Sequence, residues 1–343
     1  MNIMKIRLFI LGIVASSLAY AGNPARAGSA GAPELLINPW ARTAGWGEAN
    51  TANVMGLEGL YGNVAGIAFI DAFQFGMSNS QWLVGSGIQF NSAAFASPTS
   101  NGVLGFHVSN MNYGPIEITT AESPDGGLGY YNPTASILGV GYAQKFTDNI
   151  YGGANIKLYT SALNNLTATG VCVDAGIQYV TGVDRDFRFG ITLRNIGASF
   201  GYRGDGLTVV LPTSTGTHSN MFLSRAEQFE LPTQLNIGAA KRFDMEGNQS
   251  IELAANFISN SFKKDQLTAG IEYDFRKIFQ VRASYAQFDN RFDGMATEAV
   301  SGPAMGFSVV PKMGDTDLRV DYAYRMTQSA FAGIHTVGVT MVL

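Results

Sequence analysis

The most constraining feature of this sequence is an alternation of apolar and polar side chains that recurs from about Phe73 to the last residue. Segment 265–275 shows it clearly, with apolar residues on one face: Leu267, Ala269, Ile271, Tyr273 and Phe275. A period of two indicates β-strands, because successive side chains of a strand point to opposite faces. A tilted strand of about 9–11 residues crosses a bilayer, and a closed ring of such strands leaves no backbone unpaired in lipid. The alternation therefore predicts an all-β fold, a transmembrane antiparallel β-barrel.

The spacing of the alternating segments predicts about fourteen strands, an even number as in single-chain bacterial barrels. Tight turns at 147–149, 276–277 and 313–315 recur after every second strand, and barrels place short turns in the periplasm. We therefore expect both termini to be periplasmic and the connections near 121–133, 198–233 and 289–302 to be extracellular. The predicted strands are 73–78, 82–90, 102–110, 134–146, 150–162, 168–181, 186–197, 234–244, 248–259, 264–275, 278–288, 303–312, 316–328 and 332–343, with 91–101 as a connection.

The composition is typical of a barrel and argues against other classes. Charged residues make up 14% of the chain, well below the ~25% of a soluble domain. The mean hydropathy of +0.08 is lower than expected for a helical membrane protein, because lipid-facing apolar residues alternate with polar interior ones. The net charge of −4 gives no basic field, so we expect no nucleic-acid partner.

The first residues have the organisation of a secretory signal peptide. Lys5 and Arg7 precede an apolar stretch, and Ala19-Tyr20-Ala21 fits the small-x-small pattern before a cut at Gly22. We therefore divide the chain into a signal peptide (1–21), an N-terminal periplasmic or plug segment (22–71) and an outer-membrane barrel (72–343) in contact with lipid.

Several charged residues fall on the polar face of the predicted strands and so point into the lumen. They are Asp174, Arg188, Arg194, Glu252, Glu272, Asp274, Arg282, Arg319, Asp321 and Arg325. Isolated buried charges are costly, so we expect these side chains to pair with one another. A structural polar core is the simpler interpretation, and a path for a substrate or ion is the alternative.

Residues 33–49, Pro-Glu-Leu-Leu-Ile-Asn-Pro-Trp-Ala-Arg-Thr-Ala-Gly-Trp-Gly-Glu-Ala, resemble the start of the mature PorV/PorQ family of Bacteroidota outer-membrane proteins. Residues 60–69 resemble an Asn-Pro-Ala-Gly-Leu-Ala motif that this family shares with FadL-type barrels, with Val64 where Pro is usual. Further resemblance spans 132–157, 174–182, 189–197 and 230–238 and so covers nearly the whole mature chain. It implies a fourteen-stranded, FadL-like barrel with an N-terminal segment folded inward as a plug.

The resemblance also marks the residues of the plug motif: Asn38, Pro39, Arg42, Gly45, Gly47, Asn63 and Gly66. Arg42 would pair with lumenal carboxylates, and Gly45 and Gly47 permit a tight backbone path. Trp40 and Trp46 would fill space inside the barrel.

The function that the PorV/PorQ resemblance implies is non-enzymatic. Such a barrel would act in type IX protein secretion, associating with the translocon barrel and shuttling the C-terminal signal domains of cargo proteins. The longest loop, 198–233, is where docking is expected, because its polar sequence carries an apolar tip. The tip residues are Leu211, Met221, Phe222 and Leu223.

Two other functions fit the same sequence. A FadL-like transporter would move small hydrophobic molecules through a lateral gap in the wall, from an apolar cavity lined by residues such as Phe73, Phe75 and Trp82. The other possibility is a structural barrel or an open pore, and the feature that suggests it is the charged lumen. We find no metal-ligand spacing, phosphate loop or nucleophile motif, and we therefore expect no catalytic residue, metal or cofactor.

Overall fold

The computed structural model describes residues 26, 28–212, 218–288, 300–313, 316–327 and 332–343. The predicted signal peptide and most of the 289–302 connection lie outside these ranges. The wall consists of fourteen antiparallel strands, as the alternation predicted: β1 Gln74–Trp82, β2 Ile88–Pro98, β3 Val103–Asn112, β4 Thr134–Lys145, β5 Ile150–Leu163, β6 Leu166–Thr181, β7 Phe187–Gly197, β8 Gln234–Met245, β9 Gln249–Asn260, β10 Gln266–Phe275, β11 Phe279–Phe288, β12 Gly302–Val309, β13 Thr316–Arg325 and β14 Ile334–Val342.

The strands close into a ring. Each strand pairs with its neighbours in the chain, and β1 pairs with β14 from Gln74 opposite Val342 to Gln81 opposite His335. Two short strands, Tyr202–Arg203 and Lys312–Met313, add to the edges of β6 and β13. Because the ring is closed, no strand of the wall has an unpaired edge that faces lipid.

The two ends of the barrel differ in the length of their connections. The ends of β3, β7 and β11, from which the longest connections of the sequence start, all lie at one end, which we call the long-loop end. The opposite end, called the short-turn end, carries only turns such as 146–149, 246–248 and 276–278. In outer-membrane barrels the shorter turns face the periplasm. Two hairpins extend the long-loop end: Ile116–Glu117 with Tyr130–Tyr131, and Thr208–Pro212 with Ser219–Leu223.

The first two strands differ from the prediction. The segment 91–101, expected to be a connection, is mostly part of β2, and the turn lies instead at 83–87. Leu83, Gly85 and Gly87 have positive φ angles there and reverse the chain. The prediction failed because β2 carries small residues such as Ser92 and Ala94 on its inner face, so its alternation is weak in the sequence.

The lumen is filled by the N-terminal segment, which we call the plug (residues 32–72). It contains one short α-helix, Ala41–Gly45, and the 3₁₀ turns Pro33–Leu36, Leu57–Leu60 and Val64–Phe69. The backbone N–H of Gly31 donates to Glu230 O (3.0 Å) in the longest loop, so the described chain begins at the long-loop end. The plug then runs down the lumen to β1 at the short-turn end. Of the prediction that both termini are periplasmic, the structure describes only the C-terminal half: that strand ends at the short-turn end, whereas residues 1–25 lie outside the described ranges.

The wall approaches the plug closely at a set of lumen-facing glycines. At each of these positions an added Cβ atom would come within 3.3 Å of a plug atom: Gly76, Gly105, Gly141, Gly176, Gly190, Gly238, Gly270 and Gly306. They lie on eight different strands, so small residues all round the ring make room for the plug. No helix in the described residues is both long and apolar enough to cross a bilayer.

Candidate functional site

The upper part of the plug is fixed to the wall by backbone contacts. The Asn38 side chain accepts a hydrogen bond from the Trp40 N–H (3.0 Å) and so turns the chain into the α-helix. The Pro39 carbonyl accepts from Ser78 Oγ (2.6 Å) on β1, and the Gly45 carbonyl accepts from Ser284 Oγ (3.0 Å) on β11. These contacts hold the helix between β1 and β11.

Glycine is required at two of the plug-motif positions for different reasons. Gly47 has a φ of +56°, which L side chains rarely adopt, directly after the α-helix. At Gly45 an added Cβ atom would lie 2.9 Å from Arg282 Cδ and 3.2 Å from Gly306 Cα, so the helix would no longer fit against β11 and β12.

Arg42 pairs with the wall at the centre of the plug. Its guanidinium lies 2.7 Å from Glu272 Oε1 of β10. Burial disfavours the charged guanidinium, but Glu272 and the plug residue Glu58 outweigh this effect, and the pKa of Arg42 is raised. Glu58 in turn accepts from the N–H (3.0 Å) and Oγ1 (2.7 Å) of Thr43 and pairs with Arg319 of β13 (3.4 Å).

The wall charges complete this ion-pair cluster. Arg282 is 1% exposed and donates from Nε to Glu272 (2.8 Å), and its Nη2 donates to Ser308. Asp321 accepts from Ser308 and pairs with Arg319 (3.0 Å). Four predicted lumen charges thus meet Arg42 and Glu58 in one buried cluster, which we call the latch: Arg42, Glu58, Glu272, Arg282, Arg319 and Asp321.

The other two charges of the predicted network lie apart from the latch. Asp274 is near the short-turn end, where it accepts from the Lys277 N–H (2.7 Å) and Gln280 Nε2 (2.7 Å). Arg325 is closer to the long-loop end and pairs with Glu48 of the plug (3.4 Å). Of the remaining lumen charges named from the sequence, Asp174 pairs with Lys157 (2.7 Å) and Arg188 pairs with Glu252 (3.6 Å). Arg194 instead donates hydrogen bonds to Gln234 Oε1 (3.3 Å) and to the Leu35 carbonyl (3.2 Å).

The lower part of the plug depends on Asn63. Its side chain caps the Val64–Phe69 turn by accepting from the Ala65 N–H (3.2 Å), and it donates to Thr51 O (3.0 Å) and to Ile177 O of β6 (3.1 Å). Gly66 packs against the backbone of Val54, where an added Cβ atom would lie 2.4 Å from the carbonyl oxygen. The asparagine caps this turn although Val64 stands at the usual proline position.

Tyr61 anchors the plug to the strands β2 and β3. Its hydroxyl lies 2.8 Å from Ser92 Oγ of β2 and 3.1 Å from Ser109 Oγ of β3. Burial raises the pKa of Tyr61 to about 12, so the hydroxyl stays protonated at neutral pH.

A cavity of about 290 Å³ lies above the plug at the long-loop end. Apolar side chains from the plug and from five strands form much of its surface: Leu36, Ile37, Trp82, Ile88, Met111, Phe288 and Ile334. Polar groups stand among them, including Glu34, Tyr113, Gln234, Gln266 and Arg325. The combination of concave apolar surface and few polar groups is typical of a small-molecule site, and the volume lies at the small end of such pockets.

A second cavity, of about 520 Å³, lies at the short-turn end below the latch. Its surface is strongly charged, with Arg42, Arg188, Glu252 and Glu272 among the residues that form it. The plug separates it from the upper cavity. An apolar molecule would therefore be held above the plug and excluded from the charged space below it.

The prediction that Phe73, Phe75 and Trp82 line an apolar cavity is only partly right. Trp82 does form part of the upper cavity. Phe73 and Phe75 do not: Phe73 is 37% exposed and stacks on the outward-facing Phe95, and Phe75 alternates with Gly76, which faces the plug. The strand registers from β1 to β6 are uninterrupted, and the shift in the described registers lies between β6 and β7 near Val173. Between β1 and β6 the described registers therefore show no lateral gap, and the irregularity lies between β6 and β7.

The predicted docking loop forms a hairpin beyond the barrel rim. Leu211 lies on its first strand, and Met221, Phe222 and Leu223 lie on its second. All four are well exposed, with Met221 at 78% and Leu223 at 71%. Both faces of this two-stranded ribbon thus present apolar side chains to the surroundings.

Sequence reasoning missed three features of the site. Glu58 was not singled out, although it is the one acidic residue between Glu48 and Asp71, in an otherwise mostly apolar and small-residue stretch. Glu34 stands within the 33–49 motif but carries no predicted role. The lumen-facing glycines of the wall are not predicted at all. Only Glu58 carried a local signal, since an isolated charge in an apolar segment suggests a buried partner.

Comparison with known proteins supports the fold. The chain matches no protein-family model and no curated protein. Among solved structures, it is similar to the Pseudomonas putida toluene transporter TodX, with 11% identity over 89% of this chain and 97% of that chain and a TM-score of 0.57. It is also similar to the CymD monoaromatic hydrocarbon channel (10% identity, 89% and 97% coverage, TM-score 0.54). A Pseudomonas aeruginosa FadL homologue gives 12% identity, 87% and 96% coverage and a TM-score of 0.50.

These likenesses define the class of fold. The protein has the fold of the FadL-type fourteen-stranded outer-membrane barrels, with an N-terminal segment preceding the strands. Among the described residues, no group of three or more His, Cys, Asp or Glu side chains is placed to hold a metal ion.

Proposed function

We propose that this protein transports small hydrophobic molecules across the outer membrane by admitting them to the cavity above its plug. The observation that carries the proposal is the cavity itself. It is a mostly apolar pocket of about 290 Å³ at the long-loop end, and the plug closes it from below. The lumen there offers apolar surface from Ile37, Trp82, Ile88 and Met111, which favours burial of an apolar ligand.

Two further points support this function. Solved barrels with the same fold are described as a toluene transporter and a monoaromatic hydrocarbon channel, and a single aromatic ring fits a cavity of this size. The latch also holds the plug in the lumen by buried ion pairs, so the barrel as described offers an apolar pocket rather than an open aqueous channel. A hydrophobic cargo is consistent with that closure.

The proposal predicts that filling the cavity abolishes binding. Ala44 borders the cavity, and Ala44→Phe adds a ring to that space. Binding of toluene to the purified full-length protein, measured by saturation-transfer NMR, should fall at least about tenfold in this variant, because ligand and new side chain compete for the same volume. The matched control is Ala154→Phe, which adds the same ring to the lipid-facing side of β5 and should leave binding unchanged. Equal binding by both variants would contradict the proposal.

A second candidate function is supported by the hairpin Thr208–Pro212 with Ser219–Leu223. In this alternative the protein is a PorV-like component of type IX secretion that binds a translocon barrel or the C-terminal domains of cargo. Its support is the resemblance of the sequence and the exposed apolar ribbon beyond the rim. Exposed apolar patches of this kind are typical of protein-binding surfaces.

The hairpin function predicts loss of partners without loss of the barrel. The double variant Met221→Asp, Phe222→Asp places two charges on the ribbon and should remove secreted or barrel proteins from native co-purifications. A control, Val183→Asp, changes an apolar residue that is 99% exposed at the short-turn end and should leave the co-purifying set intact. An unchanged set of partners in the double variant would sink this alternative.

A further inference from the structure

One buried carboxylate in the wall of the upper cavity differs from all the carboxylates of the latch. Glu34, on the first turn of the plug, is 6% exposed and borders the cavity. Its two oxygens accept hydrogen bonds from phenolic hydroxyls: Tyr113 donates to Oε1, and Tyr159 donates to Oε2 (2.8 Å). Within the described ranges, no salt bridge joins Glu34 to a lysine or arginine.

The carboxylates of the latch, unlike Glu34, have counter-ions. Glu272 pairs with Arg42 and Arg282, and Glu58 pairs with Arg319. A buried carboxylate without a counter-ion is costly, and hydrogen bonds from neutral hydroxyls offset only part of that cost. Each Glu34 oxygen also has a further lone pair after accepting one tyrosine hydrogen bond. The site is therefore one where an incoming positive charge would be stabilised.

The other charges around the cavity do not cancel this preference. Glu48 and Arg325 border the opposite side and neutralise each other at 3.4 Å. Lys263 also borders the cavity, but it lies on the connection between β9 and β10 and is only partly buried, so water screens its charge. Arg194 of β7 is also buried near Glu34 and donates to the carbonyl of the neighbouring Leu35 (3.2 Å), but it does not border the cavity. Among the residues that the structure describes at this cavity, Glu34 is thus the buried carboxylate without an ion-pair partner.

We propose that Glu34 makes the upper cavity selective for small amphiphiles with an apolar body and a protonated amine. The amine would donate to the Glu34 carboxylate, held in place by Tyr113 and Tyr159, while the body packs against Ile37, Trp82 and Met111. A hydroxyl head would bind more weakly, because it donates without carrying charge. A carboxylate head would be repelled. This inference rests on the proposed function, since it names the ligand class for the same cavity.

The test compares three ligands that share one phenyl body and differ in the head group: 2-phenylethylamine, 2-phenylethanol and phenylacetate. Their affinities for the purified full-length barrel in non-ionic detergent are measured by isothermal titration at pH 7. The amine should bind at least about tenfold more tightly than phenylacetate, with the alcohol between them, as expected for a charge-assisted hydrogen bond. Phenylacetate binding as tightly as the amine, or more tightly, would overturn the inference and leave the transport proposal standing.

Variants assign the effect to Glu34. Glu34→Gln should weaken the amine about tenfold while changing the alcohol by less than about twofold, because only the charged partner is lost. Glu34→Asp keeps the charge and should retain the order of the three ligands. Glu117→Gln removes the same charge from an exposed hairpin at the same end and should change nothing. An unchanged amine affinity in Glu34→Gln also overturns the inference, whereas failure of all three ligands to bind the wild type would count against the proposed function itself.

Discussion

Replacing Arg282 by methionine is expected to lower the free energy of unfolding by about 3–5 kcal/mol, the usual cost of removing one partner from a buried charge pair. Arg282 is 1% exposed and donates to Glu272 (2.8 Å) while its Nη1 lies 3.9 Å from Asp321. The methionine would leave both carboxylates with fewer partners, while Glu272 is only 4% and Asp321 only 2% exposed. Urea unfolding in detergent, followed by tryptophan fluorescence, measures the change, and Trp46 of the plug is a buried reporter.

Arg242→Met is the matched control. Arg242 pairs with Asp244 at 2.7 Å, but these side chains are 39% and 52% exposed, so the pair should contribute no more than about 1 kcal/mol. Similar small losses in both variants would show that the latch does not stabilise the folded state.

Substitution of a lumen-facing glycine should open the barrel to ions. At Gly190 an added Cβ atom would lie 2.4 Å from the carbonyl oxygen of Thr51 and 2.7 Å from Ala52 Cα. Gly190→Leu therefore cannot accommodate the plug in its present position. We expect the wild type to pass little current in a planar bilayer, because the plug fills the lumen, and the variant to show steady conductance of at least about tenfold more, as in water-filled barrels.

The control for this variant is Ala175→Leu. Ala175 lies on the neighbouring strand β6 but faces outward, so the larger side chain meets lipid instead of the plug. This protein should remain as silent as the wild type. A Gly190→Leu barrel that inserts normally, as judged by its heat-dependent gel mobility, yet stays silent would contradict the packing of the plug described above.

The architecture could be read from the sequence because its cause is local. In β10, for example, each apolar side chain from Leu267 to Phe275 faces lipid and each residue between them faces the lumen, so the pattern fixes both strand and face. The same reasoning failed for β1 and β2, where the alternation in β2 is between residues such as Asn91 and Ser92. There, the position of the turn depends on Leu83, Gly85 and Gly87, whose backbone conformations are not evident from polarity.

The site was less predictable because it arises from contacts between distant parts of the chain. The sequence indicated that Arg42 needs a carboxylate, but the choice of Glu272 and the role of Glu58 follow only from how the plug lies in the ring. The lumen-facing glycines could not be predicted for the same reason. Gly190 lies on the lumen side of an alternating strand, and only its contact with Thr51 of the plug explains why a side chain does not fit there. The entry of the chain from the long-loop end also follows from a distant contact, between Gly31 and Glu230.

The central claim is that small hydrophobic molecules pass through the cavity above the plug. The most direct test is the initial rate at which radiolabelled 2-phenylethanol enters cells whose outer membrane contains the wild type, Ala44→Phe or no copy of this barrel. We predict faster entry with the wild type, and entry with Ala44→Phe equal to that of cells lacking the barrel, because the added ring occupies the cavity. Equal rates in all three, with both proteins folded in the membrane, would contradict the claim.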